Sequence, residues 1–231
     1  MCSIAYEDNH LLVVVKPPNL LTQADQTGDD DLLSQMKRYI KEKYHKPGDV
    51  YLGLVHRMDR PVGGLLCLAR TSKAAARLSK QVSSHEMARE YLAIAEGRLP
   101  ESGTLRDYLL KDESTNTVTS VKEGTPGGQL AILHFVCLQA GPDASLCHIR
   151  LETGRAHQIR VQFAASGHPL IHDARYGHGT PGHQIALWGA MLSLTHPTLG
   201  KRMTFVSPPE GDAWVPYKEA ISRFLTTEQT K

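Results

Sequence analysis

Leu54-Val-His-Arg-Met-Asp-Arg-Pro-Val-Gly-Gly-Leu-Leu-Cys-Leu-Ala69 is the stretch on which the reading of this chain turns. It sets one carboxylate, Asp59, between Arg57 and Arg60, and follows it with a proline, a glycine pair and an apolar run. Pro61 and Gly63-Gly64 favour a tight, irregular backbone, so the acid is expected on a loop. Leu65-Leu66-Cys67-Leu68 then reads as a buried strand. Nearby positive charge favours the ionised form of an acid. An ionised, fixed Asp can serve as nucleophile or base. Taken alone, the same cluster also fits a surface salt-bridge patch of small energetic value.

A second segment changes that balance. Leu151-Glu-Thr-Gly-Arg-Ala-His-Gln-Ile-Arg160 ends an expected strand, opens an expected helix, and packs Arg155, His157, Gln158 and Arg160 into six residues. Together the two segments resemble the RluA-type pseudouridine synthases, which carry H-R-L-D-R in the first third and T-G-R-x-H-Q-I-R in the second half. Here these stand as His56-Arg57-Met58-Asp59-Arg60 and Thr153-Gly154-Arg155-Ala156-His157-Gln158-Ile159-Arg160. Further pieces of the pattern are Leu11-Leu-Val-Val-Val-Lys16-Pro17, Arg89-Glu90-Tyr91-Leu92-Ala93, Gly167-His168-Pro169-Leu170 and Asp173-Ala174-Arg175-Tyr176-Gly177. Two departures stand out. Pro61-Val62-Gly63-Gly64 replaces a Thr-x-Ser-Gly type of stretch, and His172 stands where a glycine is usual.

Composition bounds the alternatives. The 231 residues are 41% hydrophobic and 22% charged, which is ordinary for a globular chain long enough for a sizeable core. A net charge of only +2 excludes a generally basic polyanion binder, so phosphates would have to meet a local cluster. Twelve histidines are scattered without convincing ligand spacing, and Pro169 separates His168 from His172, so no metal site is expected. Cys2, Cys67, Cys137 and Cys147 form no C-x-x-C pair, and the last three, in apolar runs, read as small core residues of a reduced protein. Neither a signal pattern nor a membrane span is read. The run Leu11–Val15 is far below the roughly 20 apolar residues a membrane helix needs. A cytoplasmic protein is expected.

Along the chain, residues 3–16 read as a strand pair, or as one strand after a short lead, with turn chemistry at Asp8-Asn9. Residues 31–44 read as an amphipathic helix with a basic outer face. A helix capped by Ser72 runs to about Val82, and a strand covers 90–96. Residues 100–128, polar and rich in Gly, Ser and Thr, read as loops with short strands. Ala131–Leu138 and Ser145–Leu151 make a hairpin over Gly141-Pro142-Asp143. A short helix spans His157–Ser166 and stops at Gly167. Ile185–Leu194 and Arg202–Val206 make another hairpin. Trp214–Leu225 closes the fold, with a frayed tail at 226–231. The fold class is therefore α+β around a mixed, largely antiparallel sheet, as a single domain over 1–231 with flanking helices. The resemblance implies the same fold with a central catalytic cleft, and the chain is expected to lack the family's separate amino-terminal RNA-binding domain.

The resemblance also implies the chemistry: an isomerase that turns uridine in ribosomal or transfer RNA into pseudouridine after flipping the base out of its stack. Nothing is consumed, so no cofactor is expected. It implies Asp59 as the catalytic carboxylate, Arg160 as its partner and Tyr91 stacked on the uracil, with Leu151 packed against the base. His56, Lys16, Arg57, Arg60, Arg155 and His157 are expected to touch phosphate or pocket wall. A monomer is expected. Two rival readings remain: a silent RNA-binding copy of the fold, which has no reason to keep Asp59, Tyr91 and Arg160 together, and a glycosidase. The latter usually needs a second carboxylate; none lies near Asp59 in sequence, and Glu152 and Asp173 lack an obvious pairing with it.

Overall fold

The structure is a computed structural model and describes residues 2–181 and 183–229. In chain order the strands and helices are β1 (Ser3–Glu7), β2 (Leu11–Lys16), α1 (Leu32–Lys43), β3 (Gly53–Leu54), β4 (Gly63–Ala69), α2 (Ser72–Ser83), β5 (Ala88–Glu96), β6 (Ser102–Asp112), β7 (Thr117–Val121), β8 (Gln129–Ala140), β9 (Ala144–Leu151), α3 (Gln158–Ala165), β10 (Leu187–Thr195), β11 (Arg202–Val206) and α4 (Lys218–Gln229). They fall into two compact units. The first takes the chain up to Ala88 together with Gly189–Ser207. The second takes Arg89–Trp188 and everything from Pro208 on.

In the first unit the strand order is β1-β2-β4-β10, with β3 on β4 and β11 on β10. Ladders β1–β2, β2–β4, β3–β4 and β10–β11 are antiparallel. Asp8 sets the β1–β2 turn: its Oδ1 accepts the N–H groups of His10 and Leu11, both at 2.7 Å. The apolar runs of β2 and β4 are explained by burial on both faces. Leu11, Val13, Leu65, Cys67 and Ala69 pack with Ala74 and Leu78 of α2. The alternate residues Leu12, Val14, Leu66 and Leu68 pack with Leu32, Met36 and Ile40 of α1. Helix α1 starts where Asp31 accepts the Ser34 N–H. In α2 the cap is Thr71, one residue before the expected Ser72, because the Thr71 hydroxyl takes the Ala74 N–H.

In the second unit the order is β5-β9-β8-β6-β7, and these ladders are all antiparallel. The expected β8–β9 hairpin is present. The expectation for residues 100–128 fails: β6 is an 11-residue strand, followed by the five-residue β7. Polar residues there are the solvent-facing half of a pleat, as Thr104 and Arg106 are exposed while Gly103, Leu105 and Asp107 are half-buried. The closing helix also differs. Pro216 lacks an N–H, and a 3-10 turn over Asp212–Tyr217 precedes α4. Helix α4 then persists through the expected tail as far as Gln229, where Thr226 and Thr227 hydroxyls donate to the carbonyls of Ser222 and Arg223. Thr230 and Lys231 of that tail lie outside the described residues. The whole is α+β, mixed and largely antiparallel.

Candidate active site

In the first unit Asp59 stands half-buried on an irregular segment, residues 55–59, with a turn at Arg60-Pro61 closed by the Val62 N–H on the Asp59 carbonyl at 3.1 Å. Four contacts hold this loop from behind. The Thr22 hydroxyl donates to the Met58 carbonyl at 2.8 Å and accepts the Met58 N–H at 3.3 Å. Lys16 Nζ donates to the Arg60 carbonyl at 3.1 Å, and to those of Pro17 and Leu20 at 3.1 and 2.7 Å. The Cys67 N–H of β4 donates to His56 Nε2 at 3.1 Å.

Two expectations are corrected by these contacts. Lys16 is 0% exposed, its ammonium enclosed by three carbonyls, so it is an internal strut and meets no phosphate. Burial pushes its ammonium down to about 7, with the Asp59 carboxylate pulling the other way. His56 is 6% exposed and braces the loop on β4 instead of facing a ligand. Arg57 is exposed. Arg60 is tied to Asp29 by an ion pair of 2.7 Å and to the Asn19 carbonyl at 3.2 Å. The second glycine after the loop, Gly64, is explained by a close backbone approach. Gly64 has φ +122°, and a Cβ there would lie 2.4 Å from the backbone N and O of Gly189.

In the second unit Tyr91 is buried on β5, opposite Ile149 of β9, and Leu151 ends β9 opposite Leu133 of β8. The Thr153–Gln158 loop is organised by Gln158. Its Oε1 accepts from the Thr153 hydroxyl and the Arg155 N–H, both at 2.9 Å, and its Nε2 donates to the Ile132 carbonyl at 3.1 Å. Arg155 is exposed, with Nε on the Leu130 carbonyl at 3.0 Å. His157 opens α3 at φ +51°, a left-handed start with no side-chain cap.

Arg160, 5% exposed, donates from Nε and Nη2 to the two carboxylate oxygens of Asp173, each at 2.8 Å. The Asp173 Oδ1 also accepts the N–H groups of Arg175 and Tyr176. Burial alone would push the Asp173 carboxyl up. The guanidinium and the two N–H groups outweigh it and hold the carboxyl below its ordinary value. The Tyr176 ring lies under Arg160, 5.1 Å from the guanidinium carbon. Its hydroxyl accepts the Val118 N–H at 2.9 Å and meets His157 Nδ1 at 2.6 Å. Arg175 reaches the Thr115 and Asn116 carbonyls at the tip of the β6–β7 hairpin. His172, in a glycine's usual place, carries a left-handed φ of +62°, so the backbone keeps the conformation that a glycine would take more easily. Sequence reasoning gave no site role to Thr22, Asp29 or Tyr176, and weighed Asp173 only as a second acid for the glycosidase reading. The last two were visible as members of the Asp173–Gly177 motif.

Residues 10–165 match the family model of the RNA pseudouridylate synthases. An uncharacterized RNA pseudouridine synthase of Bacillus subtilis (strain 168) is 34% identical over 214 residues, which cover 90% of this chain and 69% of that one. A ribosomal large subunit pseudouridine synthase D of Zymomonas mobilis is also 34% identical over 214 residues, with 87% and 67% covered. The solved structure of human RNA pseudouridylate synthase domain containing 4 superposes with a TM-score of 0.76 at 18% identity, covering 95% of this chain and 93% of that chain, and so supports the fold. With the family's motifs seated on these loops and more than half the chain matched by the family model, this chain belongs to the RNA pseudouridylate synthase family and is an isomerase of the RluA type.

Proposed function

We propose that this chain isomerises particular uridines of ribosomal RNA, or of transfer RNA, to pseudouridine, with Asp59 as the catalytic carboxylate. The observation that carries the reading is the build of the Asp59 loop. A half-buried acid sits on irregular backbone whose neighbouring peptides are tied down, which suits a fixed nucleophile or base. The substrate class is supported by relatives whose names are ribosomal large subunit pseudouridine synthases.

In this reading the target uridine leaves its stack, at a cost of a few kcal/mol, and its base is received by Tyr91 and Leu151. Asp59 acts on the nucleoside, the glycosidic carbon–nitrogen bond breaks, and the base rejoins through carbon 5, which then loses its proton. Arg160 orients charge at the reacting centre, a task suited to a planar, permanently charged fork. Arg57, Arg60, Arg155 and His157 meet phosphate or pocket wall. The glycosidase alternative loses one of its two candidate acids. A general acid needs a raised pKa, and Asp173 is held low by Arg160. No cofactor is consumed in this scheme. Among the described residues no helix is long and apolar enough to cross a membrane. A cytoplasmic monomer is the setting we propose.

The test uses in vitro transcribed, hence unmodified, ribosomal RNA with tritium at uridine carbon 5, from which each turnover releases label. Asp59→Asn is expected to release none in a single-turnover assay while keeping its fold and RNA affinity. Residual turnover within about tenfold of wild type, or about 1.4 kcal/mol of barrier, removes Asp59 from the mechanism.

A further inference from the structure

Two buried side chains from one short segment grip the peptides on either side of Asp59. Thr22, 5% exposed, both donates to and accepts from the backbone of Met58, the residue before the acid. Lys16, 0% exposed, donates to the carbonyl of Arg60, the residue after it. The carbonyl of Asp59 itself is taken by the Val62 N–H. The Asp59 carboxylate therefore hangs from a backbone that is pinned ahead, behind and beneath.

We propose that Thr22 and Lys16 are positioning residues for the isomerisation, acting together as a clamp that sets the aim of the Asp59 carboxylate. The proposal rests on the reading of Asp59 as the catalytic acid. Burial keeps both side chains from the substrate, so Thr22 acts through the Met58 peptide, and Lys16 through the Arg60 carbonyl and its charge on Asp59. A valine would fill the space of Thr22 but could neither donate to nor accept from Met58. The clamp has a proton count as well. An ammonium offers three N–H groups to the three carbonyls around Lys16, and the neutral amine offers two. Asp59, Arg60 and Cys2 are the charged or titratable groups that act on Lys16. Rising pH through neutrality therefore loosens one of the three contacts.

The experiment measures the tritium-release assay at saturating enzyme, the affinity for the same ribosomal RNA, and the urea unfolding midpoint. It compares wild type with Asp59→Asn, Thr22→Val, Thr22→Ser and Lys16→Met. Thr22→Val is expected to lower the single-turnover rate by about tenfold to a hundredfold, the scale of an ångström's misplacement, with affinity kept and the protein still fully folded under assay conditions, although the lost hydrogen bonds lower its midpoint. Thr22→Ser restores the rate, because the hydroxyl returns. Lys16→Met lowers the rate and abolishes the alkaline fall of the wild-type profile, which gives a second arm should Thr22→Val fail to fold. Asp59→Asn inactive beside Thr22→Val and Lys16→Met at wild-type rates overturns the clamp and leaves Asp59 in place. Asp59→Asn active overturns the reading of Asp59 and the clamp with it. A Thr22→Val loss that follows the RNA affinity, that reflects unfolded protein under assay conditions, or that serine does not rescue, overturns the positioning role.

Discussion

Arg160 and Asp173 form a closed, two-pronged ion pair inside the second unit: Nε and Nη2 each meet one carboxylate oxygen at 2.8 Å. The Arg160 side chain is 6% exposed and that of Asp173 0%. Such a pair costs much to desolvate and more to break, since the charge that remains stays buried without this partner.

Asp173→Asn is accordingly expected to destabilise the protein by about 3–5 kcal/mol, read as a lower urea midpoint. The pH dependence has a definite sign. An acid held below its ordinary value stabilises the fold above that value, and the stabilisation is lost as pH falls through the folded value. The variant's acid limb should be the shallower one. Equal midpoints for the two proteins at pH 7 would refute the argument.

Gly64→Ala tests the backbone contact after the Asp59 loop. The new Cβ would sit 2.4 Å from the Gly189 backbone at a φ of +122°. Steric overlap with main chain and left-handed strain add, to about 3 kcal/mol or more. Purified variant with a wild-type thermal midpoint would show that the two strands can part without cost.

Lys16 gives a stability profile of the same sign as Asp173, in a more alkaline window. A base whose value falls from 10.5 to about 7 on folding binds fewer protons in the native state than in the unfolded one across that window. Stability therefore rises as pH climbs from about 7, by at most about 1.4 kcal/mol per unit. Urea titrations from neutral to alkaline pH should show this rise in wild type and its absence in Lys16→Met. Parallel curves would contradict it.

Tyr176→Phe keeps a ring under Arg160 and removes only the hydroxyl. The Val118 N–H then loses its acceptor, at about 1–3 kcal/mol. Amide exchange at Val118 should quicken while the Arg160–Asp173 pair persists. Unchanged exchange there would mean that the hydroxyl contributes nothing to holding β7.

Much of this was legible in the chain, and the pattern of success follows from range. Strands β2 and β4 announced themselves because both their faces are covered, which leaves an unbroken apolar run. Asp31 and the Gly141-Pro142-Asp143 turn act within a few residues, so local chemistry sufficed. Strand β6 was missed because half of it faces water and its hydrogen bonds come from β8, which local composition does not encode. Lys16 read as a rim cation because lysine usually is one, and its three carbonyl partners come from two separate segments. The same holds for Thr22, whose partner lies 36 residues away. The motifs pointed to Asp59 and Arg160. What they could not supply was the scaffolding around each: Asp173 beside Arg160, and the pinned peptides beside Asp59.

The turn at 173–176 finally has a mechanical meaning. Asp173 grips Arg160. Two residues on, Arg175 holds the hairpin tip through Thr115 and Asn116, and Tyr176 holds β7 through Val118. The hairpin and the arginine thus share a single bearing. An engineer who grafts a targeting module onto residues 113–116 would load that bearing. A graft at the Pro126-Gly127 turn lies beyond these grips and would spare it.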